Sequence, residues 1–288
     1  MTNKATLAII GGSGLYQMKG LEHTEEVIVD TPFGKPSAPI TIGTLEGTQV
    51  AFLARHGIGH HITPTEVPYR ANIYALKSLG VERVVSISAC GSLREDYAPG
   101  HIVIPDNIFD FTKDRIRSFF GEGLVAHISV ADPFCDDLSN QLEASLNGTG
   151  ATTHRGGSFI TIEGPRFSTK AESNTYRAWG MSIIGMTASP EAFLAREAEM
   201  CYATMAHVTD YDVWHESESP VTVEMVIQTL NKNTEIAQDA IRNLVRTMNH
   251  NRTCNCGQAL QTALITNPKV IPAETREKLD LLVSKYLA

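Results

Sequence analysis

Short apolar runs alternate with amphipathic segments along most of the chain, and this alternation limits the possible folds more than any other feature. Leu7–Ile10, Arg83–Ala89 and Cys201–Val208 read as strands, whereas Val223–Met248 has the apolar spacing of a long helix. Strands alternating with helices are typical of an α/β fold. We therefore expect one domain, residues 1–288, with a central mixed β-sheet flanked by helices, because no repeat, linker or low-complexity segment divides the chain.

Three further segments carry local signals for helices. Thr63 and Glu66 have the spacing of a capping box, which predicts a helix that runs from there to Leu79, before Gly80. Ser189-Pro190-Glu191 combines a capping residue, a proline and an acid, which is typical of a helix start. The spacing of apolar residues over Ala273–Leu287 predicts an amphipathic helix at the end of the chain.

The charge balance argues against polyanionic partners. The 32 acidic residues exceed the 24 lysines and arginines and give a net charge of −8. A uniformly basic surface for nucleic acid is therefore not expected, although a local pocket for a small anion is compatible with this balance. No apolar run approaches the roughly 20 residues of a membrane span, and the N-terminus shows no cleavage signal. We expect a cytoplasmic protein without membrane or nucleic-acid partners.

The five cysteines do not form the even set of a secreted disulfide framework. Cys90, Cys135 and Cys201 read as buried free thiols. Cys254 and Cys256 are one residue apart, so they can form a redox or structural clip or remain free. A zinc site would need two more ligands at suitable spacing, and none lies nearby in the sequence. No metal is expected.

Polar clusters follow five of the strand-like runs. These are Gly12-Ser13, Arg55-His56, Ser88-Ala89, Met186-Thr187 and the segment Asp210–Asp212. In open α/β sheets, ligands bind just beyond the ends of strands, so the clusters are expected to converge on one site.

Four of these clusters point to a bound anion. Arg55 offers a planar fork of donors and His56 adds another, although a surface salt bridge would explain the arginine equally well. Ser13, Ser88 and Thr187 would add hydroxyl groups, although each alone reads as a turn or cap residue. The glycines before Ser13 match neither a dinucleotide fingerprint nor a P-loop, so inorganic phosphate is a better candidate than a nucleoside triphosphate.

The pair Asp210-x-Asp212 predicts acid chemistry. An extended segment would place both carboxyl groups on one side, and burial after an apolar strand would raise their pKa values. Such a pair can bind the N–H-rich edge of adenine while one member protonates a leaving base. A helix cap, a metal-binding pair and a solvated loop remain as alternatives. Phe167 can stack on a base, or it can be an ordinary core aromatic.

Seven motifs in order carry a resemblance to a known family. They are Ile9–Leu15 (IIGGSGL), Asp30–Ser37 (DTPFGKPS), Leu53–Gly57 (LARHG), Ala89–Leu93 (ACGSL), Ile162–Ser168 (IEGPRFS), Met186-Thr187 and Thr209–Asp212 (TDYD). The chain resembles the trimeric purine nucleoside phosphorylase family, and within it the members that act on S-methyl-5′-thioadenosine. The resemblance covers residues 9 to about 230 and implies the nucleoside phosphorylase variant of the α/β fold.

The resemblance also implies roles for individual residues. The phosphate would be held by Ser13, Arg55, His56, Ser88, Ala89 (through its backbone) and Thr187. The nucleoside would be held by Ile162, Phe167, Met186, Asp210 and Asp212. In this arrangement Asp210 is the catalytic residue at N7, and Asp212 meets the 6-amino group. The 5′ pocket that sets specificity would be formed by Ser168, Val223, Val226, Ile227 and His127, the last from a neighbouring subunit.

The activity implied is phosphorolysis of S-methyl-5′-thioadenosine to adenine and 5-methylthioribose 1-phosphate. The resemblance implies no cofactor beyond phosphate as co-substrate, and a homo-oligomer that is a trimer or a hexamer. A phosphorylase for 6-oxopurine nucleosides or for methylthioinosine is the alternative, although the 6-oxopurine members carry Asn where Asp210 stands. A non-catalytic nucleoside-binding module would not need the predicted phosphate residues.

Overall fold

A computed structural model of the chain describes residues 5–12, 18–215 and 223–287, except for the side chains of residue 223 and residues 225–232. Eleven strands form one sheet in this part of the chain: β1 (Leu7–Gly11), β2 (Glu22–Val27), β3 (Ile40–Leu45), β4 (Thr48–Ala54), β5 (Arg83–Ser92), β6 (Ile102–Ile104), β7 (Asn107–Phe111), β8 (Thr153–Arg155), β9 (Ser158–Ile162), β10 (Ile183–Gly185) and β11 (Cys201–Asp210). The helices are α1 (Tyr69–Ser78), α2 (Asp136–Ser145), α3 (Lys170–Ala178), α4 (Ala188–Glu197), α5 (Val223–Thr247), α6 (Ala273–Lys278) and α7 (Asp280–Val283), with short 3₁₀ turns at Cys256–Gln258 and Pro268–Val270.

The sheet contains both parallel and antiparallel pairs, so the predicted mixed α/β fold is confirmed. The main path runs β2-β3-β4-β1-β5-β10-β9-β7, and β11, β6 and β8 branch from β5. The neighbours of β1 and the β5–β11 pair are parallel, whereas β5 and β10 are antiparallel. Parallel neighbours require crossover connections. Helix α3 supplies the one between β9 and β10, whereas the chain passes through β2 and β3 between β1 and β4.

Strand β5 is the centre of this arrangement. β11 pairs with it over the range Arg83 to Gly91. Along the opposite edge, β1 pairs only as far as Ser86 and β10 only from Gly91. Along this edge, residues 87–90 therefore pair with neither β1 nor β10. All four residues line a cavity.

The alternation of side chains along β1 builds the two layers of the core. Leu7 and Ile9 pack in a cluster that contains residues of α2 and α5. Ala8 and Ile10 point to the other face, where the cluster contains residues of α1, α4 and the C-terminal segment. Because successive residues of a strand face opposite sides, a strand buried on both faces has to be apolar throughout, as β1 is.

Some local predictions were wrong at the ends of helices. The capping-box contacts form, with the Thr63 N–H and hydroxyl both donating to Glu66, but helix α1 begins only at Tyr69. Pro68 explains the difference, since a proline disfavours helical backbone in the residue before it. The helix predicted over residues 273–287 is divided into α6 and α7 at Leu279, whose φ and ψ of −103° and 6° are not helical.

Ser189 does not act as the predicted cap. Its backbone has an extended ψ of 136° inside α4, and its hydroxyl has no hydrogen-bond partner among the described residues. In contrast, Thr169 caps α3 as a full capping box with Glu172. None of the helices in the described part of the chain combines the length and apolar character that a membrane crossing requires.

Packing of α2 against α5 gives a test of the core. Leu142 of α2 is fully buried in the cluster that joins these helices to the sheet. Leu142→Ala is expected to lower the free energy of unfolding by about 2–5 kcal/mol, because buried contacts are lost and a cavity remains. Urea unfolding measures this change. Asn140→Ala, at an exposed position of the same helix, should change the value by less than about 0.5 kcal/mol. Equal effects of the two variants would contradict this packing.

Candidate functional site

A cavity of about 620 Å³ opens at the uncovered edge of β5. It is bounded by β5, β10, the end of β11 and residues of α5, and most of the residues expected at the site line it. These are Arg55, His56, Ser88, Ala89, Ile162, Phe167, Ser168, Met186, Thr187, Asp210 and Asp212.

Of the remaining predicted residues, only His127 has a described side chain. Ser13 lies outside the described residues. Val223, Val226 and Ile227 fall on α5, whose backbone is described, but their side chains lie outside the described part. His127 is exposed and is not in contact with the cavity of its own chain.

The buried charge at one side of the cavity is Arg55, which is only 2% exposed. Its Nε and Nη2 donate to the two carboxylate oxygens of Glu191 at 2.8 and 2.9 Å, and Nη2 also donates to the Ser86 hydroxyl. Burial opposes the charge, but the Glu191 carboxylate outweighs it and raises the pKa of Arg55. The interpretation as a surface salt bridge is wrong, because both partners are buried.

The Nη1 group of Arg55 lies away from the two bonds to Glu191. Nη1 carries two N–H groups, and one donates to the Ile87 carbonyl at 3.3 Å. Glu191 therefore fixes the guanidinium beside the cavity, and within the described part of the chain the second N–H of Nη1 has no partner.

His56 is neutral in this environment. Burial lowers its pKa to about 4, and the positive charge of Arg55 contributes. Nδ1 lies 2.9 Å from the Ile62 carbonyl. Because a carbonyl oxygen only accepts, Nδ1 carries the proton and Nε2 is left as an acceptor. The sequence analysis treated His56 as a hydrogen-bond donor. In the structure Nε2 is an acceptor, which suits a protonated phosphate oxygen.

Two hydroxyl groups are linked to Arg55 through Ser86, whose hydroxyl contacts both Arg55 Nη2 and the Ser88 hydroxyl. The Ser88 and Thr187 oxygens are 3.4 Å apart, and both residues are buried. Thr187 follows β10, as predicted, at the start of α4. Ser88 does not end a strand, because β5 continues to Ser92. It reaches the cavity because β1 stops pairing with β5 at Ser86.

Two carboxyl groups lie at the end of β11. Asp210 accepts hydrogen bonds from the Thr209 hydroxyl at 2.6 Å and from the Asp212 N–H at 2.7 Å. The second bond is part of a turn in which Asp212 has a φ of 52°. The two side chains therefore meet through a turn, and the prediction of an extended segment is wrong.

Gly91 allows these carboxyl groups to approach β5. A Cβ built on it would lie 3.0 Å from an Asp210 carboxylate oxygen and 3.3 Å from the Asp212 Cβ. Burial raises the pKa of Asp210 to about 6, and burial also raises the pKa of Asp212. Asp210 therefore exchanges its proton closer to neutral pH than an exposed aspartate does.

Apolar side chains separate the cationic side from the acidic side. Ile162 is buried, and Phe167 is 40% exposed at the cavity wall. The Met186 carbonyl accepts a hydrogen bond from Arg115 Nη1, which also donates to the Ser189 carbonyl. Arg115 thereby fixes the segment from Met186 to the first residues of α4.

Sequence reasoning did not identify Glu191, Arg115 or His207 as parts of the site. Glu191 was assigned only to the first turn of a helix, and no local pattern showed that it faces Arg55. His207 of β11 is 1% exposed, lines the cavity, and has no hydrogen-bond partner for either ring nitrogen among the described residues. A histidine inside a largely apolar strand was the available signal.

The argument that no further ligand lies near Cys254 and Cys256 holds along the sequence but fails in the fold. The sulfur atoms of Cys135 and Cys201 lie within 4.8 Å of both and of each other. The long separation in sequence concealed this cluster.

The chain belongs to the phosphorylase superfamily, whose family model matches residues 6–246. The membership predicted from the seven motifs is confirmed. A relative from Geobacter sulfurreducens named S-methyl-5′-thioadenosine phosphorylase is 54% identical over 282 residues, which cover 98% of this chain and 99% of the relative. A relative with the same name from Hyperthermus butylicus is 51% identical and covers 91% of this chain and 96% of its own length.

Solved structures are also similar to this fold. A methylthioadenosine phosphorylase from an antarctic soil metagenomic library has a TM-score of 0.93 and 48% identity over 98% of this chain and 99% of that chain. A variant of the Schistosoma mansoni adenosine/methylthioadenosine phosphorylase, in complex with methylthioadenosine, has a TM-score of 0.80 and 34% identity, covering 90% of this chain and 96% of that chain.

The raised pKa of Asp210 predicts a pH-dependent stability cost. The pKa is about 6 in the folded chain against an ordinary 3.8, so the folded state binds more protons between these values. The free energy of unfolding therefore falls as pH rises through this range, and the cost is complete above it. Asp210→Asn is expected to stabilise the protein by on the order of 2 kcal/mol at pH 7.5 and not at pH 4.

Urea unfolding at both pH values and one protein concentration measures this difference. Asp114→Asn, at an exposed position, is the matched control and should show no gain at either pH. A loss of stability in Asp210→Asn at pH 7.5 would contradict the cost assigned to the buried carboxylate.

Proposed function

We propose that this chain catalyses the phosphorolysis of S-methyl-5′-thioadenosine to adenine and 5-methylthioribose 1-phosphate. The observation that carries the proposal is one cavity with Arg55 and two hydroxyl groups on one side and two buried carboxyl groups of raised pKa on the other. The relatives that share about half of the sequence over nearly the whole chain bear the name of this activity.

The cationic side is the proposed phosphate site. Arg55, Ser88 and Thr187 donate to the phosphate oxygens, together with Ser13 and a backbone group of Ala89. The neutral His56 accepts from a protonated phosphate oxygen. Held under the sugar, the phosphate attacks C1′ as the glycosidic bond lengthens, and its negative charge stabilises the oxocarbenium character of the sugar.

The acidic side is the proposed base site. Negative charge develops on the purine as the bond to C1′ breaks, and Asp210 donates its proton at N7. Asp212 accepts from the 6-amino group, and Phe167 stacks on the base. Ile162 and Met186 pack against the base and the ribose, and the Met186 backbone binds the ribose hydroxyls.

The 5′ pocket is proposed to depend on assembly. Ser168, Val223, Val226 and Ile227 would surround the methylthio group, with His127 supplied by a neighbouring subunit. Support comes from α5, whose residues Asn233, Thr234 and Ala237 already line the cavity, and from the exposure of His127. We therefore propose a homo-oligomer, a trimer or hexamer.

Three further expectations belong to this proposal. Residues 1–288 act as one domain, because a single sheet joins the described strands from Leu7 to Asp210. Phosphate is the second substrate, and no organic cofactor takes part in the chemistry. The protein acts in the cytoplasm on small molecules.

A 6-oxopurine nucleoside or methylthioinosine is the second candidate substrate. Two ionised carboxylates would repel a 6-oxo group, but burial raises the pKa values of Asp210 and Asp212, and a protonated carboxyl can donate to that oxygen. The substrate panel below therefore includes both classes.

The proposal is tested with purified protein and five nucleosides, methylthioadenosine, adenosine, inosine, guanosine and methylthioinosine, each with and without phosphate. Release of free base is measured by chromatography. Methylthioadenosine with phosphate is expected to react fastest, and adenosine on the order of 10²-fold more slowly, because an apolar pocket rejects a hydroxyl only modestly. Base release that does not depend on phosphate, or faster reaction of the 6-oxopurine nucleosides, would overturn the proposal.

Thr187→Val tests the phosphate side without disturbing a buried charge. The variant keeps the shape and removes the hydroxyl, so the KM for phosphate should rise on the order of 10-fold while the KM for the nucleoside changes little. Arg55→Ala is unsuitable, because it would leave the Glu191 carboxylate buried and unpaired. Thr175→Val, at an exposed position on α3, is the matched control and should leave both KM values unchanged. An unchanged phosphate KM in Thr187→Val would remove Thr187 from the phosphate site.

A further inference from the structure

Four cysteines from three separate segments meet at the end of β11 opposite the cavity. The sulfur atoms of Cys135, Cys201, Cys254 and Cys256, here named the thiol cluster, all lie within 4.8 Å of one another. Cys254 is half-buried and the other three are buried. Cys201 begins β11 and Asp210 ends it, so nine residues, or ~30 Å of extended strand, separate the cluster from the proposed acid. The cluster is distinct from the cavity.

The dimensions of the cluster suit a single tetrahedral metal ion. Zinc binds four thiolates at about 2.3 Å, which places the sulfurs ~3.8 Å apart. The sulfurs here already lie within an ångström of that spacing, and Cys201 and Cys254 are 3.3 Å apart. Four thiolates in a closed, largely buried set are typical of a structural zinc site, which keeps no position open for substrate.

Two positive groups lie near the cluster. Cys135 is the residue before the first turn of α2, so its side chain lies at the N-terminus of that helix. The positive end of a helix dipole stabilises a thiolate at this position. Arg196 lies close enough to Cys256 for its positive charge to act on that sulfur. A tetrathiolate zinc site carries a net charge of about −2, which these groups partly offset.

We propose that the thiol cluster binds one Zn²⁺ as a structural tetrathiolate site. The four thiols release four protons to the solvent as the four Zn–S bonds form, and no oxidation state changes. The proposal does not depend on the function assigned to the cavity.

The site would hold the C-terminal segment against the sheet. That segment already contacts β5, where Arg83 donates to the carbonyls of Asn249 and His250. Further along, the Ala263 carbonyl accepts from the His127 N–H and the Ile265 N–H donates to the Val125 carbonyl. Zinc would thus fix the segment that supports residues 125–127, including the residue expected to reach a neighbouring subunit.

The test measures metal in protein purified with a phosphine reductant and no chelator. Elemental analysis is expected to find about one zinc per chain, and unfolding with a chelator should then release five free thiols. Cys254→Ser and Cys256→Ser should each lower the zinc content to below about a tenth per chain, because a ligand is lost. Cys90→Ser, which alters the one cysteine outside the cluster, should retain about one zinc per chain.

Reconstitution keeps the test independent of how the variants fold. The reduced wild-type protein, stripped of metal, is titrated with Co²⁺, and the intense visible absorption of a tetrahedral cobalt thiolate is expected to saturate at about one ion per chain. Chelation of the metal should lower the melting temperature of the wild type and leave that of Cys254→Ser unchanged.

Three results would overturn the proposal. Zinc below about a tenth per chain, both as purified and after addition of Zn²⁺ to the reduced protein, would show that the thiols do not bind it. A single free thiol after unfolding without reductant, with no zinc present, would identify two disulfide bonds in place of the metal. Zinc retained in both Cys254→Ser and Cys256→Ser would place the metal elsewhere.

Discussion

The incomplete pairing along one edge of β5 is the constraint on which the rest of the site depends. β11 covers one edge of this strand over the range Arg83 to Gly91, but β1 and β10 share the other edge and leave residues 87–90 between them. A continuous strand in that gap would fill the space that the cavity occupies. The β5–β11 register then places Ala89 beside His207, and a register shift after Val208 brings Asp210 opposite Gly91. The phosphate side and the base side of the proposed site are therefore positioned by one pair of strands.

Burial of charged groups is the second constraint. The arginine on one side of the cavity stays charged, whereas the aspartate on the other side has a raised pKa. Arg55 keeps its charge because Glu191 pairs with it through two hydrogen bonds in the interior and because Tyr202 donates to the same carboxylate. Such a pair contributes little net stability, but it fixes the position of the guanidinium. Asp210 has no cationic partner among the described residues that hydrogen-bond it, and burial raises its pKa instead. The protein thus holds a fixed positive charge on one side and a transferable proton on the other.

The sequence predicted the fold class and most of the cavity wall, because both depend on local patterns. Polar residues after apolar runs identified Arg55 and Asp210, and alternation identified the central strands. The errors come from contacts between distant segments. Pro68 delays the start of α1, which periodicity alone does not show. Glu191 lies 136 residues from Arg55, and the thiol cluster joins residues from 135 to 256, so no spacing rule could connect them.

The separation of the two charged sides by apolar side chains matters for the proposed chemistry. In phosphorolysis, positive charge develops on the sugar and negative charge on the leaving purine. In the proposed arrangement, the phosphate beside Arg55 would face the first charge and the Asp210 proton would meet the second. Both groups would then stabilise the same direction of charge separation. The cavity wall includes the apolar side chains of Ile162 and Met186, and apolar surroundings strengthen electrostatic interactions. A neutral His56 adds to this arrangement, because a second cation next to Arg55 would offset the negative charge that the phosphate presents to the sugar.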